Sequence, residues 1–113
     1  VNDSVQPEWL TLPDVALALD VRVTQVRRLI EDRVLLAVRR DSVPMIPASF
    51  IEAGEPIKEL RGTFIVLGDS GYTDDEAVAW LIGQDESLGT TPIAALRAGR
   101  KAEVRRVAQA LGF

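Results

Sequence analysis

Thr24, Gln25, Arg27 and Arg28 cluster within one short stretch and bring together hydroxyl, amide and guanidinium groups. In the same segment Val26, Leu29 and Ile30 recur at helical spacing. At about 100° per residue, the four polar side chains then point away from that apolar stripe. Such groups suit phosphate oxygens and the hydrogen-bonding edges of bases. Arg22 just ahead of the stretch, and Arg39 and Arg40 beyond it, add cations of the kind that neutralise backbone phosphates. Other chemistries find little support. The chain has no cysteine and no histidine, which removes zinc fingers, Cys or His catalysis and the common transition-metal sites. Asp74-Asp75-Glu76 reads as a solvated helix start rather than a metal cluster. Gly68-Asp69-Ser70-Gly71 lacks the strand-to-helix grammar of a nucleophile turn and reads as a helix end. There is no phosphate-binding or dinucleotide-binding glycine motif. The expectation is a protein that is not an enzyme and takes no cofactor or metal.

The polar cluster needs a helix pair to hold it out. Leu12 to Leu19 supplies the first helix, with Val15, Ala16 and Leu19 on one face, Thr11 as its cap, Pro13 in its first turn and Asp14 near its positive end. Small Ala16 permits close approach of a second helix, and Val21 is expected to plug the gap between the two. Val15, Leu19, Val21, Val26 and Leu29 at apolar positions, with Ala at position 16, resemble the helix-turn-helix pattern. Two positions depart from it. Asp20 stands where the family places glycine, a substitution that the left-handed tolerance of Asp accommodates. Arg22 stands where relatives carry a Ser or Thr cap, which weakens the cap and frees a cation for phosphate.

Behind the second helix, Glu31-Asp32-Arg33 reads as a turn and Val34 to Arg39 as a strand. Arg40-Asp41-Ser42 reads as a turn, and Val43 to Ile46 as a returning strand that Pro44 places at a sheet edge. Residues 47–51 read as a short helix stopped at Gly54. The helix pair, the Leu35-Leu36-Ala37-Val38-Arg39-Arg40 strand and tip, and the Ile46-Pro47 exit resemble the winged helix-turn-helix of the MerR and excisionase class. That resemblance implies a second helix in the major groove and a wing on the adjacent backbone. It assigns Thr24, Gln25, Arg27 and Arg28 to the groove, and Arg39 and Arg40 to the wing.

The net charge of −4 argues against a polyanionic partner until its distribution is read. Between Val21 and Arg40 stand six arginines (Arg22, Arg27, Arg28, Arg33, Arg39 and Arg40) against Glu31 and Asp32. Residues 51–96 hold two basic residues against nine acidic ones, and residues 97–113 hold five basic residues against Glu103. Positive charge thus concentrates on the segment expected to face DNA, while the acidic middle lowers non-specific affinity and sharpens salt dependence.

The remainder reads as helical. Ile57, Leu60, Phe64 and Leu67 form a helix stripe, although residues 63–67 also suit a buried strand; the helix reading is preferred. Thr73 to Glu76 is a capping box opening a helix with Ala77, Val78, Trp80 and Leu81. Thr91-Pro92 starts another, with Ile93 and Leu96 inward and Gly99 at its end. A last helix carries Val104, Val107, Ala108 and Leu111 on one face, with Arg105 and Arg106 on the other. Trp80, Leu81, Ile93, Leu96, Val104 and Leu111 are expected to pack inward. Trp80-Leu81, Leu88-Gly89, residues 92–96 and Glu103-Val104 resemble the toxin-binding domain of Xre/MbcA/ParS-type antitoxins, which implies dimerisation and capture of a partner protein. The order of both halves also resembles small actinobacterial DNA-binding regulators.

The expected fold is therefore mainly α with a small β-hairpin wing. It comprises a flexible tail over 1–8, a winged helix-turn-helix over 9–54, and a C-terminal helical domain over 55–113 packed on it. The expected function is sequence-specific binding of double-stranded DNA by a transcriptional regulator. The alternative is an antitoxin-like or adaptor module acting through the helical half. A homodimer and a protein partner at the C-terminal domain stand as open partners, and a membrane does not. With no apolar run of spanning length, no leader grammar and no cysteine, the expected location is cytoplasmic, on the nucleoid when DNA-bound.

Overall fold

The computed structural model describes residues 8–111. The tail expected over 1–8 lies, but for Glu8, outside the described residues. Trp9–Thr11 forms a first strand, β1, and runs directly into helix α1, Leu12–Leu19. Thr11 caps that helix in a reciprocal box with Asp14: the Asp14 N–H donates to Thr11 Oγ1 at 3.3 Å, and the Thr11 N–H donates to Asp14 Oδ2 at 3.4 Å. A tight turn through Asp20 leads into helix α2, Val23–Glu31.

Strands β2 (Val38–Arg40) and β3 (Val43–Pro47) follow. The sheet is antiparallel in the order β1-β3-β2, with Trp9 opposite Pro47 and Arg40 opposite Val43. Two expectations change here, and Trp9 and Leu10, half-buried against the core, add a strand that the sequence reading does not contain. The strand expected from Val34 begins only at Val38, because Leu35 and Leu36 are both buried, whereas a strand sends neighbours to opposite faces. Pro44 sits in the central strand, not an edge. The two-residue turn makes Arg40 and Val43 a hydrogen-bonded pair, so the nitrogen of Pro44 faces the β1 side. There β1 has already ended, with Thr11 opposite Met45, and no ladder bond is lost.

Ala48–Phe50 is a single 3-10 turn, and Ile51–Glu52 (β4) pairs with Glu55–Pro56 (β5). Gly54 therefore closes a hairpin instead of stopping a helix; with φ at +77° beside Ala53 at +53°, it completes a left-handed two-residue turn. Four helices complete the described residues: α3, Leu60–Asp69; α4, Asp74–Ile82; α5, Pro92–Arg97; α6, Lys101–Ala110. Residues 63–67 are helical, and α3 starts only at Leu60, so Ile57 of the expected stripe lies ahead of the helix. Thr73 and Glu76 form the expected capping box on α4.

The buried apolar residues form one contiguous cluster from Leu12 to Ala108. Phe50, beside the sheet, and Phe64 of α3 meet with ring centroids 6.0 Å apart and are both essentially sealed from solvent. Each large side chain of this kind contributes about 1.5–3 kcal/mol on burial. Leu81, Ile93, Leu96 and Val104 are buried as expected, but Leu111 is 37% exposed and Trp80 is half-buried. The Trp80 indole N–H donates to Asp85 Oδ2 at 3.3 Å. Val21 is also 37% exposed and does not plug the helix turn. Arg105, expected in solvent, turns inward. Its Nη2 donates to Glu59 Oε1 at 3.1 Å, and its guanidinium lies against Gly62. Among the described residues no helix is long and apolar enough to cross a membrane.

Candidate nucleic-acid interface

The helix pair is positioned by its turn. Asp20 takes a left-handed conformation, φ 59° and ψ 49°, and caps α1. The Val21 N–H donates to the Ala16 carbonyl at 3.0 Å, which bends the chain sharply into α2. Arg22 occupies the cap position of α2 in extended conformation and makes no side-chain capping bond. The first-turn N–H groups of α2 thus lack a side-chain acceptor at the cap, and no acidic residue stands in that turn. Both facts favour an anion there.

Burial fixes which way α2 faces. Val26 is fully buried, while Val23, Leu29 and Ile30 are half-buried against the core. Thr24, Gln25, Arg27 and Arg28 are all exposed. Among the described residues, Arg22, Arg27 and Arg28 are in no ion pair. The outward face of α2 therefore offers cations and hydrogen-bonding groups with no internal acid to satisfy them.

The wing is built differently. Asp41 and Ser42, at φ 53° and 69°, form its turn without glycine. Mirror-image turns of this kind match the twist of the strands they join, and Asp tolerates the conformation better than most residues. Arg39 Nη1 donates to the Ser42 carbonyl at 3.0 Å, which ties the side chain to the tip. The Arg40 guanidinium lies over the Trp9 ring, 4.4 Å from its centroid. Stacking occupies the face of a guanidinium and leaves its in-plane N–H groups available. Helix α1 touches α2, β1 and β3 and so joins the two groups on one frame. No hydrogen bond or ion pair among the described residues links the α2 side chains directly to Arg39 or Arg40.

Two residues of this region escaped sequence reasoning. Trp9 supplies the platform for Arg40, a role that depends on β1 pairing with β3. Arg33, at φ 61°, leaves the end of α2 in left-handed conformation and reaches Asp74 of α4: Nη2 to Oδ1 is 2.9 Å and Nη1 to Oδ2 is 3.4 Å. A pairing across that distance in the chain leaves no local trace.

Comparison with known proteins agrees with this architecture. Residues 1–51 match the wHTH domain of the family described as DNA-binding protein Rv2175c. Residues 57–112 match the Rv2175c C-terminal domain, described as of unknown function. The protein named DNA-binding protein Rv2175c from Mycobacterium tuberculosis (strain ATCC 25618 / H37Rv) is 35% identical over 127 residues, spanning 99% of this chain and 87% of that protein. The NMR structure of Rv2175c aligns with a TM-score of 0.84 at 34% identity, over 99% of this chain and 87% of that one. The chain has a winged helix-turn-helix followed by a helical C-terminal half, and it belongs to the Rv2175c family.

Proposed function

We propose that the chain binds double-stranded DNA in a sequence-specific manner and acts as a transcriptional regulator. Residues 9–54 serve as the DNA-reading unit and residues 55–113 as the helical unit packed on it. Helix α2 enters the major groove, where Thr24, Gln25, Arg27 and Arg28 meet base edges, and Arg22, Arg39 and Arg40 contact phosphates. The observation that carries this reading is the outward face of α2: four polar side chains, two of them arginines outside any ion pair among the described residues, stand opposite fully buried Val26. The relative named as a DNA-binding protein adds support over nearly the whole chain. Burial of Leu81, Ile93, Leu96 and Val104 favours this reading over an antitoxin-like module for those four side chains, while half-buried Trp80 and Leu111, 37% exposed, remain open to a partner.

A salt titration with selected and random duplexes tests it. Each phosphate contact is expected to add about 0.9 to the magnitude of the log K against log salt slope. A selected duplex is expected to bind at least about a thousandfold tighter than random sequence. Equal affinity for both duplexes, or a slope near zero, overturns the reading.

A further inference from the structure

The helical half grips both elements assigned above to DNA. Arg61 of α3 donates from Nε to the carbonyl of Asp32, the residue that ends α2, at 3.0 Å. Arg33, one residue further on, makes its two-pronged contact with Asp74 at the start of α4. The same α4 rests on the wing. Val78, 1% exposed, stands with Ala79 and Ile82 along a shallow groove whose other wall is Trp9, Val38 and Arg40. One end of the reading helix and one face of the wing are thus referred to a single pair of helices.

We propose that α3 and α4 form a positioning frame that sets the tilt of the β2–β3 wing relative to α2, and so narrows the DNA geometry the chain accepts. The inference rests on the DNA reading for its consequence but not for its geometry. Both arginine contacts are exposed: the Arg33 and Asp74 side chains keep 43% and 52% of their surface in solvent. Pairs of this kind add little to global stability. Their effect is orientation: a groove-bound helix and a backbone-bound wing must meet one duplex together, so a small change in their relative angle costs contacts at one of them. Arg61 and Asp74 are positioning residues in this account and touch no DNA. A ligand or partner seated on the helical half would act through the same frame, because a shift of α4 moves the wing.

The test uses the full chain with Asp74→Asn and Arg61→Gln, singly and together, with Asp74→Glu as the conservative control. Residual dipolar couplings of backbone amides in α2, β2 and β3 report the wing's tilt in the free protein. Duplex titrations report discrimination and salt slope. The double variant is expected to stay folded, to show a changed wing orientation, and to lose about 3- to 10-fold in selected-over-random preference. Its salt slope is expected to flatten by up to about one unit for each wing phosphate contact that the new tilt withdraws, and Asp74→Glu is expected to retain the parent orientation. A merely structural role would lower the melting temperature without reorienting the wing. Couplings of the folded double variant that fit the parent orientation overturn the frame. A reoriented wing in a chain whose parent fails to discriminate between duplexes supports the frame and overturns the DNA reading alone.

Discussion

Arg40 lays its guanidinium over the indole of Trp9, 4.4 Å from the ring centroid, and the contact reaches over β3 from one edge strand of the sheet to the other. It joins the wing to the residues just ahead of α1. A cation–π contact at an exposed site is worth about 0.5–1 kcal/mol. Trp9→Leu, which keeps an apolar strand residue, is expected to leave the fold intact and weaken binding by about 2- to 5-fold for every duplex alike. Arg39→Ala with Arg40→Ala is expected to flatten the salt slope by about one unit per lost phosphate contact. Titration of random and selected duplexes checks both; a change in the preferred sequence would mean that the wing reads bases.

The face of α2 gives a sharper expectation. Arg27 and Arg28 are exposed, with no ion pair among the described residues, so their loss leaves the core untouched. Arg27→Ala or Arg28→Ala is expected to cost about 1–3 kcal/mol of specific binding and to relax specificity at one position. Unchanged affinity in a folded double variant would remove α2 from the interface.

Two glycines of α3 should respond oppositely to the same substitution. A Cβ at Gly68 meets no atom nearby, whereas at Gly62 it would run into the Arg105 guanidinium. Gly→Ala inside a helix stabilises by roughly 0.5–1 kcal/mol when space is free, and Gly68→Ala is expected to show that gain. Gly62→Ala displaces Arg105 from Glu59, so its gain is expected to be cancelled or reversed. Urea melts of the two variants decide the matter, and equal stabilisation of both would show that Arg105 has no fixed seat. An Arg105→Met background is expected to restore the gain at Gly62.

Acid should uncouple one pair on α6. Glu103 accepts from Arg100 Nη2 at 2.7 Å and Nε at 3.2 Å. That hydrogen bond first, and the arginine charge second, hold the Glu103 carboxyl below its ordinary value. A carboxyl with a lowered folded-state pKa binds its proton less readily in the folded chain than in the unfolded one. Its stabilisation is complete above the ordinary carboxylate range and disappears as pH falls through the lowered value. The melting-temperature difference between the parent chain and Glu103→Gln is therefore expected at neutral pH and absent in strong acid. A difference independent of pH would contradict the pairing.

The parts of the fold that were legible in the sequence are those whose cause is local. Thr11 with Asp14 and Thr73 with Glu76 each cap a helix from three residues away, and the αL turn at Asp20 needs only the identity of one side chain. The outward direction of Thr24, Gln25, Arg27 and Arg28 followed from Val26, Leu29 and Ile30, because helix geometry alone relates the two sets. The missing parts depend on partners far along the chain. Strand β1 has three residues, too few for a periodic signal, and exists because Met45 to Pro47 lie beside it. Pro44 suggests an edge by its missing donor alone, because nothing local marks where β1 stops. Arg105 reads locally as a solvated cation, and only the fold sets Glu59 and Gly62 beneath it. The stack of Arg40 on Trp9 depends on strand order and left no trace in spacing.

The undivided core bears on how genetics of this protein should be interpreted. Leu67 and Leu81, both in the helical half, are fully buried in the same cluster as Val15 and Val26. Truncating such a leucine to alanine costs about 2–5 kcal/mol, a large share of the roughly 5–15 kcal/mol that holds a domain folded. A screen for alleles that fail to bind DNA would therefore collect lesions from both ends of the gene, and the map would resemble an interface spread over the entire chain. Only alleles whose protein melts where the parent melts would mark the surface that touches DNA.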